Sequence, residues 1–147
     1  MTLLHIQSLG LTLAEPIFTD LTFTLLKGDR LGLVASNGRG KTTLLNCLTG
    51  TTDPTEGVMT RGRGLRMGYM RQTLTEGAEA VTPYDLPLAA LPPEQVDYES
   101  WRVDVVLGEL DMPYEMQHRP LGELSGGWQR MAMLAAVRVG EPDVLLL

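Results

Sequence analysis

Residues 30–43 read R-L-G-L-V-A-S-N-G-R-G-K-T-T, and this stretch decides the fold. Arg30 to Val34 is a short apolar run of the kind that forms a strand buried on both faces of a parallel sheet. A glycine-rich turn follows. Gly40, Lys41 and Thr42 then match the end of the pattern Gly-x4-Gly-Lys-Ser/Thr, with Ala35 in the place of its first glycine. The pattern has a physical basis. Glycines let successive backbone N–H groups converge on phosphate oxygens, and a helix N-terminus adds unpaired donors and a favourable dipole. Lys41 brings a mobile cation, and Thr42 a hydroxyl for Mg²⁺. The candidate contacts to a nucleotide are therefore Asn37, Gly38, Arg39, Gly40, Lys41, Thr42 and Thr43. A Cβ at Ala35 is harmless where φ is negative and obstructive where it is positive.

Working outward, residues 2–13 alternate loosely between apolar and polar, which predicts one strand or two short ones. Residues 21–26 predict a second strand, closed by a turn at Gly28 and Asp29. A helix is expected from Lys41, with Leu44, Leu45 and Leu48 on one face and Gly50 as its stop. The turn cluster 52–57 precedes two short strand candidates, Val58 to Thr60 and Leu65 to Met70. Residues 73–93 hold Pro83, Pro87, Pro92 and Pro93 and predict no single regular element. Residues 94–111 predict one or two amphipathic helices, with Val96, Tyr98, Trp101, Val105 and Leu110 as the apolar set. Ser125 opens another helix, which Gly140 and Pro142 end, and an apolar strand follows from Val144 to Leu147.

The chain has 147 residues, 44% of them hydrophobic and 20% charged, as in a globular domain. No apolar run is long enough for a membrane span, and the first ten residues do not read as a secretory leader. The single cysteine, Cys47, excludes an internal disulfide and fits a reducing, cytoplasmic setting. The net charge of −6 argues against a generally basic surface. That charge is uneven, at +3 over residues 1–74 and −9 over residues 75–147, so the halves are expected to meet different partners or each other. Arg61, Arg63, Arg66 and Arg71 form the one basic cluster, for which a solvated hairpin turn outweighs contact with RNA.

Residues 124–130 read L-S-G-G-W-Q-R. Ser125 is a good N-cap, and Gly126 and Gly127 let the backbone come close to a ligand. A phosphate loop followed by L-S-G-G, then a helix and V-L-L-L, resembles the ATP-binding-cassette ATPases over the whole chain. D-L-T-F-T-L-L-K-G-D-R-L-G-L-V, T-D-P-T-E-G-V and M-G-Y-M-R-Q resemble that family's approach to the phosphate loop, its next turn and the strand before its glutamine loop. The resemblance implies an α/β fold with a P-loop NTPase core, a mostly parallel sheet with helices. It adds an N-terminal antiparallel β subdomain and an inserted helical subdomain. By the same resemblance, the fold is expected to be C-terminally incomplete over these residues. The chain is then one partial nucleotide-binding domain over 1–147, with residues 75–123 as the helical part.

The resemblance further implies ATP and Mg²⁺ as cofactors, with Thr42 and Gln72 near the metal. Two cassettes pair head to tail, so Ser125, Gly126, Gly127, Trp128 and Gln129 touch the partner's ATP. Trp128 and Y-M-R-Q look more like the soluble F subfamily, many of whose members act on ribosomes, than a transporter subunit. The alternatives are the ATP-binding subunit of a membrane transporter and a non-catalytic nucleotide-binding or interaction module. Thr12 and Leu13 stand where the family carries an adenine-stacking aromatic. Val144–Leu147 resembles the strand that precedes the family's aspartate and glutamate pair, and these residues stop short of that pair and of the switch histidine. His5 and His118 do not stand in for that histidine. ATP binding with little turnover is expected of these 147 residues. Self-association through the edge of the strand at 30–34 is expected as well.

Overall fold

The computed structural model describes residues 1–35 and 38–147. They divide into two compact units, Met1–Met67 and Gly68–Leu147.

The first unit is built on β1 (Thr2–Thr12), β2 (Pro16–Leu26) and β3 (Glu56–Arg61), with β1 central and antiparallel to both neighbours. The loose alternation in residues 2–13 has a structural cause. Ser8 has a φ of +48°, and the register with both neighbours slips around it, a bulge that shifts the pleat by one residue. Leu4 and Ile6 are buried before the slip, and Leu9 and Leu11 after it. One continuous strand therefore keeps a buried face although its apolar positions change phase. Gly57 completes the bulge. It sits at φ +83°, and a Cβ there would lie 2.3 Å from the Ser8 carbonyl oxygen.

Helix α1 (Gly38–Thr49) packs in this unit through Leu44, Cys47 and Leu48, all buried. Gly50, at φ +84°, ends it in the left-handed conformation expected of a C′ glycine. The helix starts three residues before Lys41, so the glycines of the loop's second half are already helical. A larger departure lies just upstream. The expected strand at Arg30–Val34 does not form, and no ladder partner holds it among the described residues. Leu31, Leu33 and Val34 are exposed, Val34 at 94%. An apolar run states that both faces want cover, but a strand exists only where a neighbour accepts its hydrogen bonds.

The boundary falls within β4 (Met67–Tyr69), which pairs with β5 (Val144–Leu146) of the second unit. Residues 73–93 carry only a 3-10 turn at Ala78–Ala80 and the short α2 (Asp85–Ala90). Next come α3 (Pro93–Glu99), α4 (Trp101–Glu109), α5 (Tyr114–Gln117), a 3-10 turn at Leu121–Glu123 and α6 (Gly126–Arg138). The core joins Val103, Leu107, Leu121, Ala132, Ala135 and Val139, each with no exposed surface. The apolar set expected for 94–111 meets the core at two of its five positions. Val96 and Leu110 pack on this core, whereas Tyr98, Trp101 and Val105 face solvent. Val103, Val106 and Leu107 take the buried positions of α4. Periodicity identifies the stripes of a helix but not which stripe meets the core.

Candidate functional site

Two helix N-termini carry the sequence motifs. The first is that of α1. Of the loop residues, Ser36 and Asn37 lie outside the described residues. Gly38, Arg39, Gly40, Lys41, Thr42 and Thr43 form the first turn and a half of the helix. Lys41 is half-buried and Thr42 exposed. Among the described residues, the non-glycine residues with positive φ are Ser8, Asp20, Asp111 and Glu141, and Ala35 is not one of them. Its methyl group therefore brings no left-handed strain to the start of the loop.

The C-terminal end of α1 is firmly held. Arg61 Nη2 of β3 donates to the Leu48 carbonyl at 2.7 Å, and the Asn46 carbonyl accepts from the Thr51 and Thr52 amides and the Thr49 hydroxyl. A cation at that end also complements the helix dipole. Arg61 thus leaves the basic cluster read from sequence and serves the helix instead. Burial pushes the pKa of the Cys47 thiol up, with a smaller contribution from Asp53, so the thiol stays protonated inside the packed face.

The second N-terminus is that of α6. Ser125 is its N-cap, and its Oγ accepts from the Trp128 amide at 3.4 Å. Gly126 and Gly127 follow with ordinary negative φ. A Cβ built on Gly126 meets nothing within 4 Å, and one on Gly127 meets only the Ser125 Oγ at 3.8 Å. Neither backbone conformation nor packing within the chain calls for glycine here. Trp128 packs half-buried against the core of the second unit. Gln129 turns inward, and its Nε2 donates to the carbonyls of Leu121 at 2.8 Å and Leu124 at 3.3 Å. This fastens the preceding turn to the helix and fixes where Ser125 starts it. Sequence reading did not reveal that role, because nothing local distinguishes an inward amide from an outward one.

Gln72 is exposed, three residues beyond β4. Gly68 fixes that strand, since a Cβ there would lie 2.4 Å from Val137 Cγ1 and 3.1 Å from the Pro142 ring. An apolar cleft beside Gln72 is lined by Met70, Leu74, Leu86, Met133 and Val137. His5 bonds Thr24 Oγ1 across the β1–β2 pair, and His118 lies against the rings of Tyr84 and Tyr114.

One electrostatic feature singles out the two motif helices. The first turns of α2, α3, α4 and α5 carry Asp85, Glu94, Asp104 and Glu115. Those of α1 and α6 carry no acidic residue. An acid in the first turn normally neutralises the positive end of the dipole. Without one, that end is left for an outside anion. Among the described residues no group of three or more His, Cys, Asp or Glu side chains could hold a metal by itself. Mg²⁺ keeps waters and phosphate oxygens and needs few protein ligands. The exposed Thr42 hydroxyl fits an ion that arrives with a nucleotide.

A helix that opens on G-R-G-K-T-T, an antiparallel β unit and a helical unit whose last helix opens on L-S-G-G are the features of the cassette class of P-loop ATPases. The family model described as ABC transporter matches residues 18–147, and the chain belongs to that family. It is 35% identical over 124 residues to ABC transporter F family member 4 of Arabidopsis thaliana, covering 82% of this chain and 17% of that protein. It is 30% identical over 149 aligned positions to the zinc import ATP-binding protein ZnuC of Roseobacter denitrificans, covering 100% of this chain and 56% of that one. The chain therefore spans only part of the length of these curated relatives. Among solved structures, an ATP-binding cassette of an ABC transporter superposes with a TM-score of 0.84 at 20% identity. That match covers 99% of this chain and 68% of the other and supports the α/β fold. No helix among the described residues is long and apolar enough to cross a membrane.

Proposed function

We propose that this cassette binds Mg-ATP at the N-terminus of α1 and offers the N-terminus of α6 to the nucleotide of a second cassette. The carrying observation is that these two helices, unlike α2 to α5, leave their positive ends without an acidic residue. Backbone amides of the loop and Lys41 would hold the β- and γ-phosphates, with Thr42 on the metal. Ser125, Gly126 and Gly127 would contact the partner's γ-phosphate, and the absence of any internal need for either glycine supports that role. Gln72, exposed beyond β4, would sense the metal and pass its state to the helical unit. Trp128 and Gln129 act on the phosphate through position: one packs the helix down, and the other sets its start. With phosphates and metal held in this way, a pair of intact cassettes supports hydrolysis by charge neutralisation and positioning.

The subtype reading favours a cytoplasmic protein of the F type, on the likeness to the Arabidopsis F family member and on Trp128 after S-G-G. A ribosomal target belongs to that reading. The second reading is the ATP-binding subunit of a membrane transporter. It is supported by the likeness to the zinc import protein and by the apolar cleft beside Gln72, where a membrane subunit could press a helix. Titration calorimetry with Mg-ATP tests the common core. Lys41→Ala removes a charge-assisted contact of about 1.5–3 kcal/mol, a loss of roughly tenfold to a hundredfold in affinity. The same affinity for both proteins, or no heat from folded wild type, refutes the site. A second cassette or a membrane subunit encoded beside this one separates the two subtypes.

A further inference from the structure

The helical segment 93–109 is apolar on two opposite stripes, and only one of them meets the core. Ser100 joins α3 to α4 with helical angles, φ −55° and ψ −28°, so the periodicity continues through the joint. Val103, Val106 and Leu107 face inward. On the other side Tyr98, Trp101 and Val105 recur at spacings of three and four and stand 81%, 58% and 46% exposed. Tyr and Trp are the residues that most often anchor protein interfaces, and they are uncommon on bare surface. Asp97 and Asp104 lie along one flank of the stripe, both exposed and neither in an ion pair among the described residues. Gly108 extends the stripe by one turn, and a Cβ there would meet nothing within 4 Å.

Charge selects the occupant. Nucleic acid and anionic lipid are repelled by the acidic flank. A second copy of the same unit brings its own excess of acids, −9 over residues 75–147. We propose that the outward stripe of α3–α4 is a docking surface for a basic amphipathic helix of a partner protein. Tyr98, Trp101 and Val105 receive its apolar face, and Asp97 and Asp104 pair with its Lys or Arg flank. This surface is independent of the nucleotide site, and its occupancy needs no ATP.

The test uses the full chain and two labelled helical peptides of about 18 residues with leucine at helical spacing. One carries lysine on its polar face and the other glutamate. Fluorescence polarisation is expected to show saturable binding of the lysine peptide alone, with a blue shift of tryptophan emission. Trp101→Ala should weaken it by at least about tenfold. The pair Asp97→Lys and Asp104→Lys should transfer the preference to the glutamate peptide, and Glu115→Lys should change neither. Absence of lysine-peptide binding, or binding indifferent to both Trp101→Ala and the charge reversal, overturns the proposal. So does a dimer in sedimentation that Trp101→Ala dissolves, or insertion of Trp101 into phosphatidylglycerol vesicles. Circular dichroism checks folding, and the charge reversal decides the matter should Trp101→Ala not fold.

Discussion

Replacing Gly126 and Gly127 together by alanine should make the protein more stable and less competent. Both glycines sit in the first turn of α6 with negative φ, and the added methyl groups meet open space, apart from the Ser125 Oγ at 3.8 Å from the second. No clash or left-handed strain opposes the change. Glycine costs about 0.5–1 kcal/mol relative to alanine within a helix, and the low end applies near a terminus, so the pair should add about 1 kcal/mol. The second unit spans Gly68 to Leu147. For a unit of that size 1 kcal/mol raises Tm by about 4–8 °C. Thermal melts followed by circular dichroism measure that gain. The functional arm mixes the variant with an intact cassette of the same family and follows ATP hydrolysis. Methyl groups between a helix N-terminus and a phosphate block the approach, so any stimulation given by wild type should be lost. A fall in Tm would mean that the glycines serve the chain's own backbone. A higher Tm with stimulation unchanged would mean that nothing approaches this end of α6. Either outcome refutes the reasoning.

Other outcomes follow from single contacts. Arg61→Ala leaves the Leu48 carbonyl without its side-chain donor and should cost about 1 kcal/mol, seen as a lower denaturation midpoint that Arg61→Lys partly restores. Gly57→Ala puts a Cβ 2.3 Å from the Ser8 carbonyl at a φ of +83°; a cost of roughly 3 kcal/mol or more should appear in urea titration, against little change for Gly126→Ala. Burial raises the pKa of Cys47 in the folded state, with Asp53 adding to the effect, so its contribution is fully present below the unfolded value of 9.0 and is lost as pH rises through the folded one. Stability should therefore fall above about pH 9, and more weakly in Cys47→Ala, when chemical denaturation is repeated across pH.

The sequence by itself determined what depends on local backbone chemistry. The start of α6 at Ser125, the stop of α1 at Gly50 and the turn at Gly28 follow from which residues cap a helix or accept positive φ, and each lies where its neighbours in sequence require. The phosphate-loop pattern was legible for the same reason: Gly40, Lys41 and Thr42 are contiguous in the sequence. Tertiary structure decided whatever depends on a partner distant in sequence. The run Leu31–Val34 is strand-like in composition but pairs with no strand among the described residues. Tyr98, Trp101 and Val105 follow the same helical spacing as Val103, Val106 and Leu107, yet only the latter join the buried core with Leu121, Ala132 and Ala135. Gln129 could have faced a ligand, but two carbonyls within reach bind its amide. Hydrogen bonding and burial are properties of pairs, and a linear pattern names only one member of each pair.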